Sequence, residues 1–215
     1  MISKAIIIFI VCINITSCNM MNNLQHKHDE EYNKFKSKFD QKLTTQFPLS
    51  IETEYYRIIS NTDTEYKNVG LILSEYYVSI PKIDSIKSSI KKSIIGKYLS
   101  SDSCLLVVNR FDTYVTYQKS NRVIIDDSTL IDRECYEGKY PLPNFMDFYD
   151  EYKNSNVHLD NSYVIYVLDA NSKNPFENYA MRPSPYMPAK WKNGYSKGIA
   201  ISEKKKNVIY WSIIW

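Results

Sequence analysis

The chain reads as one α+β domain, a largely antiparallel β-sheet covered by two or three helices on one face and closed by a C-terminal β-hairpin. Three observations predict this. Apolar residues recur at helical spacing in two stretches; runs of β-branched and aromatic residues bounded by polar turns fill much of the remainder; and the chain ends on two dense apolar runs around one charged turn. In order, the pattern is helix, hairpin, helix, several strands, helix, strand and hairpin.

Tyr32, Phe35, Phe39 and Leu43 fall on one stripe of an amphipathic helix from about Asp29 to Thr44, which Phe47-Pro48 ends. Ile51–Ser60 and Val69–Ser79 then read as two strands paired across the polar turn Asn61-Thr62-Asp63-Thr64. After Pro81, placed where a first-turn proline is tolerated, Ile83, Ile86, Ile90, Ile94 and Tyr98 keep helical spacing to about Leu99. Leu105–Asn109, Thr113–Gln118 and Arg122–Asp126 are further strand candidates, and Phe145, Phe148, Tyr149 and Tyr152 suggest a short third helix after Pro143. Tyr163 to Leu168 is apolar on both faces, so a strand over Ser162–Asp169 belongs inside the sheet.

Gly198–Ser202 and Asn207–Trp215 flank Glu203-Lys204-Lys205-Lys206 as a terminal hairpin. Ile209, Trp211, Ile213 and Trp215 share one face, with Val208, Tyr210 and Ile214 on the other. A strand this apolar must be buried in a sheet, so truncation there is expected to be costly.

The N-terminus carries different information. Lys4 precedes an apolar run from Ala5 to Ile13, no acidic residue occurs before Asp29, and Ile15-Thr16-Ser17-Cys18 closes the segment. A helix over residues 5–15 would cover about half of a 30 Å hydrocarbon core, too little to span it. This order of charge, apolar run, small residues and cysteine resembles the signal peptide of a bacterial lipoprotein. The resemblance covers residues 1–18 and implies removal of residues 1–17, acylation of Cys18 with fatty chains such as palmitate, and residence in the cell envelope. Asn19 in place of aspartate favours the outer membrane. Residues 18–27 would then be a lipidated tether and 28–215 the globular domain. Alternation ending on an aromatic also resembles the closing strand of outer-membrane barrels, although the helices and the lack of serial alternating strands oppose a barrel.

With Cys12 removed and Cys18 acylated, Cys104 and Cys135 are left either as a disulfide or as two separate thiols. The formal net charge is +3, no basic stripe is interleaved with aromatics, and nucleic acid is not an expected partner. Five glycines leave no Gly-rich phosphate loop, and no cofactor motif is present.

Four chemistries can be drawn from the residues. His26 and His28 adjoin the tether, where a mobile segment gives no fixed metal geometry, so no metal is expected. His158 has no Gly-x-Ser-x-Gly elbow to serve, and Ser88-Ser89-Ile90-Lys91 satisfies Ser-x-x-Lys without its companion motifs. Asp126, Asp127, Asp132 and Glu134 offer paired carboxylates but sit in a polar connection of the kind usually solvated. The sequence therefore favours a non-catalytic protein that binds an envelope protein, a glycan, or a toxin as an immunity-type inhibitor would. The alternative is an envelope hydrolase using His158 or an acidic pair.

Asn171–Tyr195 is the candidate recognition segment: a long stretch without periodicity, stiffened by Pro175, Pro183, Pro185 and Pro188. Tyr179, Arg182, Tyr186 and Trp191 are its candidate contact residues. The competing reading has its aromatics pinning an extended lid over the sheet.

Overall fold

The computed structural model describes residues 28–112, 125, 127–145 and 157–215. Cys18, the tether with His26, the strand expected at Thr113–Gln118, all but Ile125 of the strand at Arg122–Asp126, and Phe148, Tyr149 and Tyr152 of the third helix lie outside the described residues.

The protein is a single α+β domain. Its strands are β1 (Tyr56–Asn61), β2 (Val69–Glu75), β3 (Gly96–Leu99), β4 (Val164–Asn171), β5 (Tyr195–Ser202) and β6 (Asn207–Ile214). They form one antiparallel sheet in the order β1-β2-β6-β5-β4-β3. The helices are α1 (28–36), α2 (Gln41–Thr44) and α3 (Ile80–Ile90). β6 is apolar on both faces and lies between β2 and β5, where every face is covered; the short β3, with Lys97, takes an edge.

Alternation along β6 sends its side chains into two layers. Val208, Tyr210 and Ile214 meet Tyr32, Leu43, Ile83 and Ile86 from the three helices and Phe39 from the turn between α1 and α2. Ile209 and Trp211 pack with Leu105, Val107 and Leu142, while Ile213 and Trp215 pack with Leu106, Val108, Met187 and Trp191. Helices thus cover one face, and among the described residues irregular chain lies on the other. Cys104 and Cys135 are joined in a disulfide that ties down this irregular layer, with Cα atoms 6.2 Å apart and a sequence separation of 31. In the chain-entropy description such a loop closure contributes about 3–4 kcal/mol.

Several elements depart from the sequence reading. The first helix breaks after residue 36, and Asp40 accepts from the Lys42 N–H at 2.8 Å to start α2. A carboxylate at that position caps a new helix more readily than it continues an old one. The Ile83 stripe stops at Ile90, and residues 96–99 are β3 instead of helix. Gly96 disfavours the helix, and β4 needs a partner for its outer backbone groups, which β3 supplies. Leu105–Asn109 is no strand. It makes a single parallel bridge, Val107 to Leu142, and is apolar on both sides because alternate residues enter neighbouring clusters. The first hairpin begins at Tyr56, not Ile51, and β2 ends at Glu75, beyond which Tyr77 adopts φ 59° and turns the chain.

Glu75 at the end of β2 faces the helical layer. Glu75 is buried, accepts from the Glu52 N–H at 3.3 Å and faces the Tyr210 hydroxyl. Burial, reinforced by the Glu52 charge, raises its pKa above the ordinary 4.5 against the opposing pull of that N–H and of Lys82. Burial and the Glu75 charge push the Tyr210 hydroxyl well up as well. The folded state therefore holds the Glu75 proton to higher pH than the unfolded state does, and stability falls as pH rises through the raised value. Lowering the pH from neutrality toward the ordinary carboxyl value should raise the thermal midpoint, and Glu75→Gln should flatten that slope. Equal slopes in the two proteins would refute this account.

Candidate functional site

The two ends of the sheet differ. Strands of six to eight residues separate them by roughly 25 Å. One end holds the start of β1, the end of β2 and the β5–β6 turn; the opposite end holds the β1–β2 turn, the start of β5 and Trp215. The candidate recognition residues divide over this frame.

At the Trp215 end, the β1–β2 turn is fixed by its own side chains. Asn61 donates to the Asn68 carbonyl at 2.7 Å and accepts from the Asp63 N–H at 3.0 Å, and Asp63 accepts from the Glu65 N–H at 2.9 Å. These local bonds hold Thr64, Glu65, Tyr66 and Lys67 in one shape. Facing them is the proline-rich segment. Its Ser184 N–H donates to the Lys192 carbonyl at 2.7 Å, Lys192 Nζ donates to the Pro185 carbonyl at 3.0 Å, and Asn193 donates to the Met181 carbonyl at 3.2 Å. Pro183 and Pro185 reduce the entropy lost in holding this conformation.

Between the two segments lies a groove of about 480 Å³, lined by Tyr66, Lys67, Asn109, Arg182, Ser184 and Tyr186 among others. Behind it, a polar chain runs from the lining residue Asn109. Asn109, at φ 57°, donates to Asn68 Oδ1 at 2.8 Å and accepts at its carbonyl from Asn144 at 3.2 Å; Asn144 Oδ1 lies 2.5 Å from His158 Nδ1. Lys67 forms an ion pair with the buried Asp112. Tyr186 meets Phe111 edge-on at 6.2 Å, and the half-buried Arg110 guanidinium lies 4.4 Å over the Phe111 ring. Burial, then the Arg133 charge, lowers the pKa of Arg110. The wall is thus rigid and aromatic. Arg182 is exposed at its rim and makes no ion pair among the described residues.

Arg182 and Tyr186 therefore share a surface, but Tyr179 and Trp191 do not join it. The Tyr179 ring stacks on Phe39, and its hydroxyl donates to the Lys38 carbonyl. Trp191 is buried against Trp215, whose indole N–H donates to the Trp191 carbonyl at 2.8 Å. Both rings are buried, each filling a gap between the loop and the core. Tyr66 and Lys67 were not legible as part of the site, because the turn carrying them meets residues 181–186 only through the fold.

The other chemistries are placed as follows. His28 packs edge-on against Tyr56 at 5.2 Å, and no metal-binding group occurs among the described residues. Ser88 and Ser89 hydroxyls donate to the Asp84 and Ile86 carbonyls of their own helix at 2.8 Å. Asp127 caps a short 3₁₀ turn by accepting from the Thr129 N–H at 2.9 Å, while Asp132 and Glu134 are exposed; Asp126 lies outside the described residues. His158 is tied to Asn144, and neither residue lines the groove.

A second cavity, about 600 Å³, lies between α3, the segment after α2 and the helical face of the sheet. Lys197 on its floor donates to the Lys42 carbonyl and, at 2.9 Å, to Thr45 Oγ1, so the cation secures the α2 region. Burial lowers its pKa, with Asp169, its cross-strand neighbour, opposing. The one signal for it in the sequence is a lysine inside an otherwise small and apolar strand.

Comparison with protein families, with curated proteins and with solved structures gives no match, so the functional reading rests on this geometry.

Proposed function

We propose that the protein is a lipid-anchored envelope lipoprotein that binds a partner without catalysis, through the groove formed by the β1–β2 turn and residues 181–186. The observation that carries the reading is the position of this groove. His28, which follows the expected tether, packs on Tyr56 at the start of β1, whereas the groove occupies the opposite end of the sheet. A domain tethered through residues 18–27 would keep its recognition surface clear of the attachment point. Arg182 supplies five fixed donors suited to a carboxylate, and Tyr66 and Tyr186 supply rigid contact area at low entropic cost. The groove matches an acidic, partly apolar protein segment better than it matches a reaction centre.

Two measurements test the reading. The mass of the N-terminal peptide from membrane-extracted protein should show diacylglycerol on Cys18. In pull-downs from detergent-solubilised envelopes, Arg182→Ala/Tyr186→Ala should lower partner recovery about tenfold or more with an unchanged thermal midpoint. Recovery equal to wild type would reject the groove. Trp191→Ala is unsuitable for this purpose because it opens the core.

A further inference from the structure

The cavity of about 600 Å³ on the helical face shares no residue with the Arg182 groove, and its lining divides by chemistry. Ile86, Ile90, Leu168 and Ile199 give it branched aliphatic walls. Three charged side chains also line it: Lys82, Asp169 and Lys197. Lys82 is paired with Glu52 at 2.7 Å, so its charge is balanced within the protein. Lys197 and Asp169 are not balanced in this way.

These two residues are cross-strand partners on β5 and β4, and both side chains reach the same cavity. They make no ion pair with each other or with any other described residue. Lys197 is only 9 % exposed and gives two of its three N–H groups to the Lys42 carbonyl and Thr45 Oγ1. The third has no partner among the described residues. Asp169 Oδ2 accepts from the Tyr195 hydroxyl at 3.0 Å, and Oδ1 keeps its acceptor capacity. A buried cation without a contacting anion is costly, and burial already lowers the pKa of Lys197. A carboxylate set against it would offset that cost.

We propose that this cavity binds a free α-amino acid with a branched aliphatic side chain. Its carboxylate meets the third N–H of Lys197, its ammonium meets Asp169 Oδ1, and its side chain lies against Ile86, Ile90 and Leu168. The charge pattern selects this occupant. An α-amino acid carries opposite charges on a single carbon, which suits two unjoined charges on neighbouring strands. A simple carboxylate would face Asp169 with like charge, and a simple amine would face Lys197 in the same way. A peptide separates its terminal charges by about 3.6 Å more for every added residue. Sugar rings favour flat aromatic faces, whereas these walls are aliphatic, and the one aromatic in the lining, Tyr210, is 3 % exposed with its hydroxyl facing Glu75. The volume falls within the range of about 300–1,000 Å³ usual for small-molecule sites. Neither Cys18 nor the Arg182 groove takes part, so this site is independent of the partner-binding reading.

Calorimetric titration of the full chain in detergent tests the proposal, with L-leucine, L-isoleucine and L-valine used in turn. At least one should give a saturable one-to-one isotherm. For L-leucine, removing the ammonium (4-methylpentanoate) or the carboxylate (L-leucinamide) should each weaken binding about tenfold or more. Asp169→Asn should weaken L-leucine and close most of its gap from 4-methylpentanoate, and Lys197→Met should do the same for the gap from L-leucinamide. Lys197 also secures the α2 region, so Ser89→Trp supplies a blocking variant that keeps this lysine: Ser89 is exposed on α3 at the cavity rim, and the thermal midpoint should hold while binding is lost. Arg182→Ala should bind as wild type does. No saturable binding by any of the three amino acids at millimolar concentration, equal binding of L-leucine and its two analogues, or an isotherm unchanged by both Asp169→Asn and Ser89→Trp would overturn the site. Saturable binding of methyl glucoside in place of the amino acids would overturn the assigned ligand.

Discussion

Deleting Ile213, Ile214 and Trp215 should leave the chain without a native state. All three are buried, Trp215 completely, and they close the middle of the sheet. Ile213 and Ile214 pair with Gly70 and Val69 of β2 on one side and with Ser196 and Tyr195 of β5 on the other. The Trp215 backbone exchanges bonds of 3.0 and 3.1 Å with Gly194, and its indole holds the Trp191 carbonyl. At about 2–3 kcal/mol for each isoleucine and 3–5 kcal/mol for the tryptophan, the loss reaches roughly 7–11 kcal/mol. Domains of this size are stable by about 5–15 kcal/mol. Urea unfolding followed by circular dichroism checks the prediction, and a cooperative transition near the full-length midpoint would refute it. Trp215→Phe keeps the strand paired and should cost only part of the total.

Gly198→Ala should be the most damaging single-methyl addition. Gly198 lies in β5 opposite Trp211, and a Cβ there would overlap the Tyr166 carbonyl oxygen and come within 2.7 Å of Trp211 Cζ2. The carbonyl belongs to β4, which is held between β5 and β3 and has little room to retreat. Overpacking of this kind costs about 3 kcal/mol or more when backbone must move. Gly138→Ala is the useful contrast: its Cβ would meet nothing within 4 Å, and its positive φ of 71° alone sets the penalty at about 1 kcal/mol. Thermal midpoints of the two variants should separate clearly. Trp211→Phe should not rescue Gly198→Ala, because the carbonyl overlap persists.

The difference between these two glycines was invisible in the sequence, and the same holds for much of the candidate site. Tyr179, Arg182, Tyr186 and Trp191 look alike as loop residues, yet two fill core gaps and two line a groove. The groove's other wall comes from the β1–β2 turn, more than a hundred residues earlier in the chain. Glu75 and Lys197 read as ordinary charges within strands until the helical layer covers them. Residues 94–99 are the clearest misreading. Ile94 and Tyr98 keep helical spacing, but Tyr98 pairs with Ile165 as a strand because the β4 edge claims it.

Local periodicity is a property of the backbone itself. Successive side chains alternate across a strand, so the sequence alone determined the two faces of β6, the first hairpin, the buried Ile83-Ile86-Ile90 stripe and the α+β class. Which strands become neighbours is a different kind of quantity. It depends on burying apolar faces and satisfying backbone groups contributed by distant segments. Only the tertiary structure placed the last strand at the centre of the sheet, set Leu105 to Val108 and Met187 against the Trp211 and Trp215 face, and put the Arg182 groove and the Tyr55–Tyr77 pair at opposite ends of the domain.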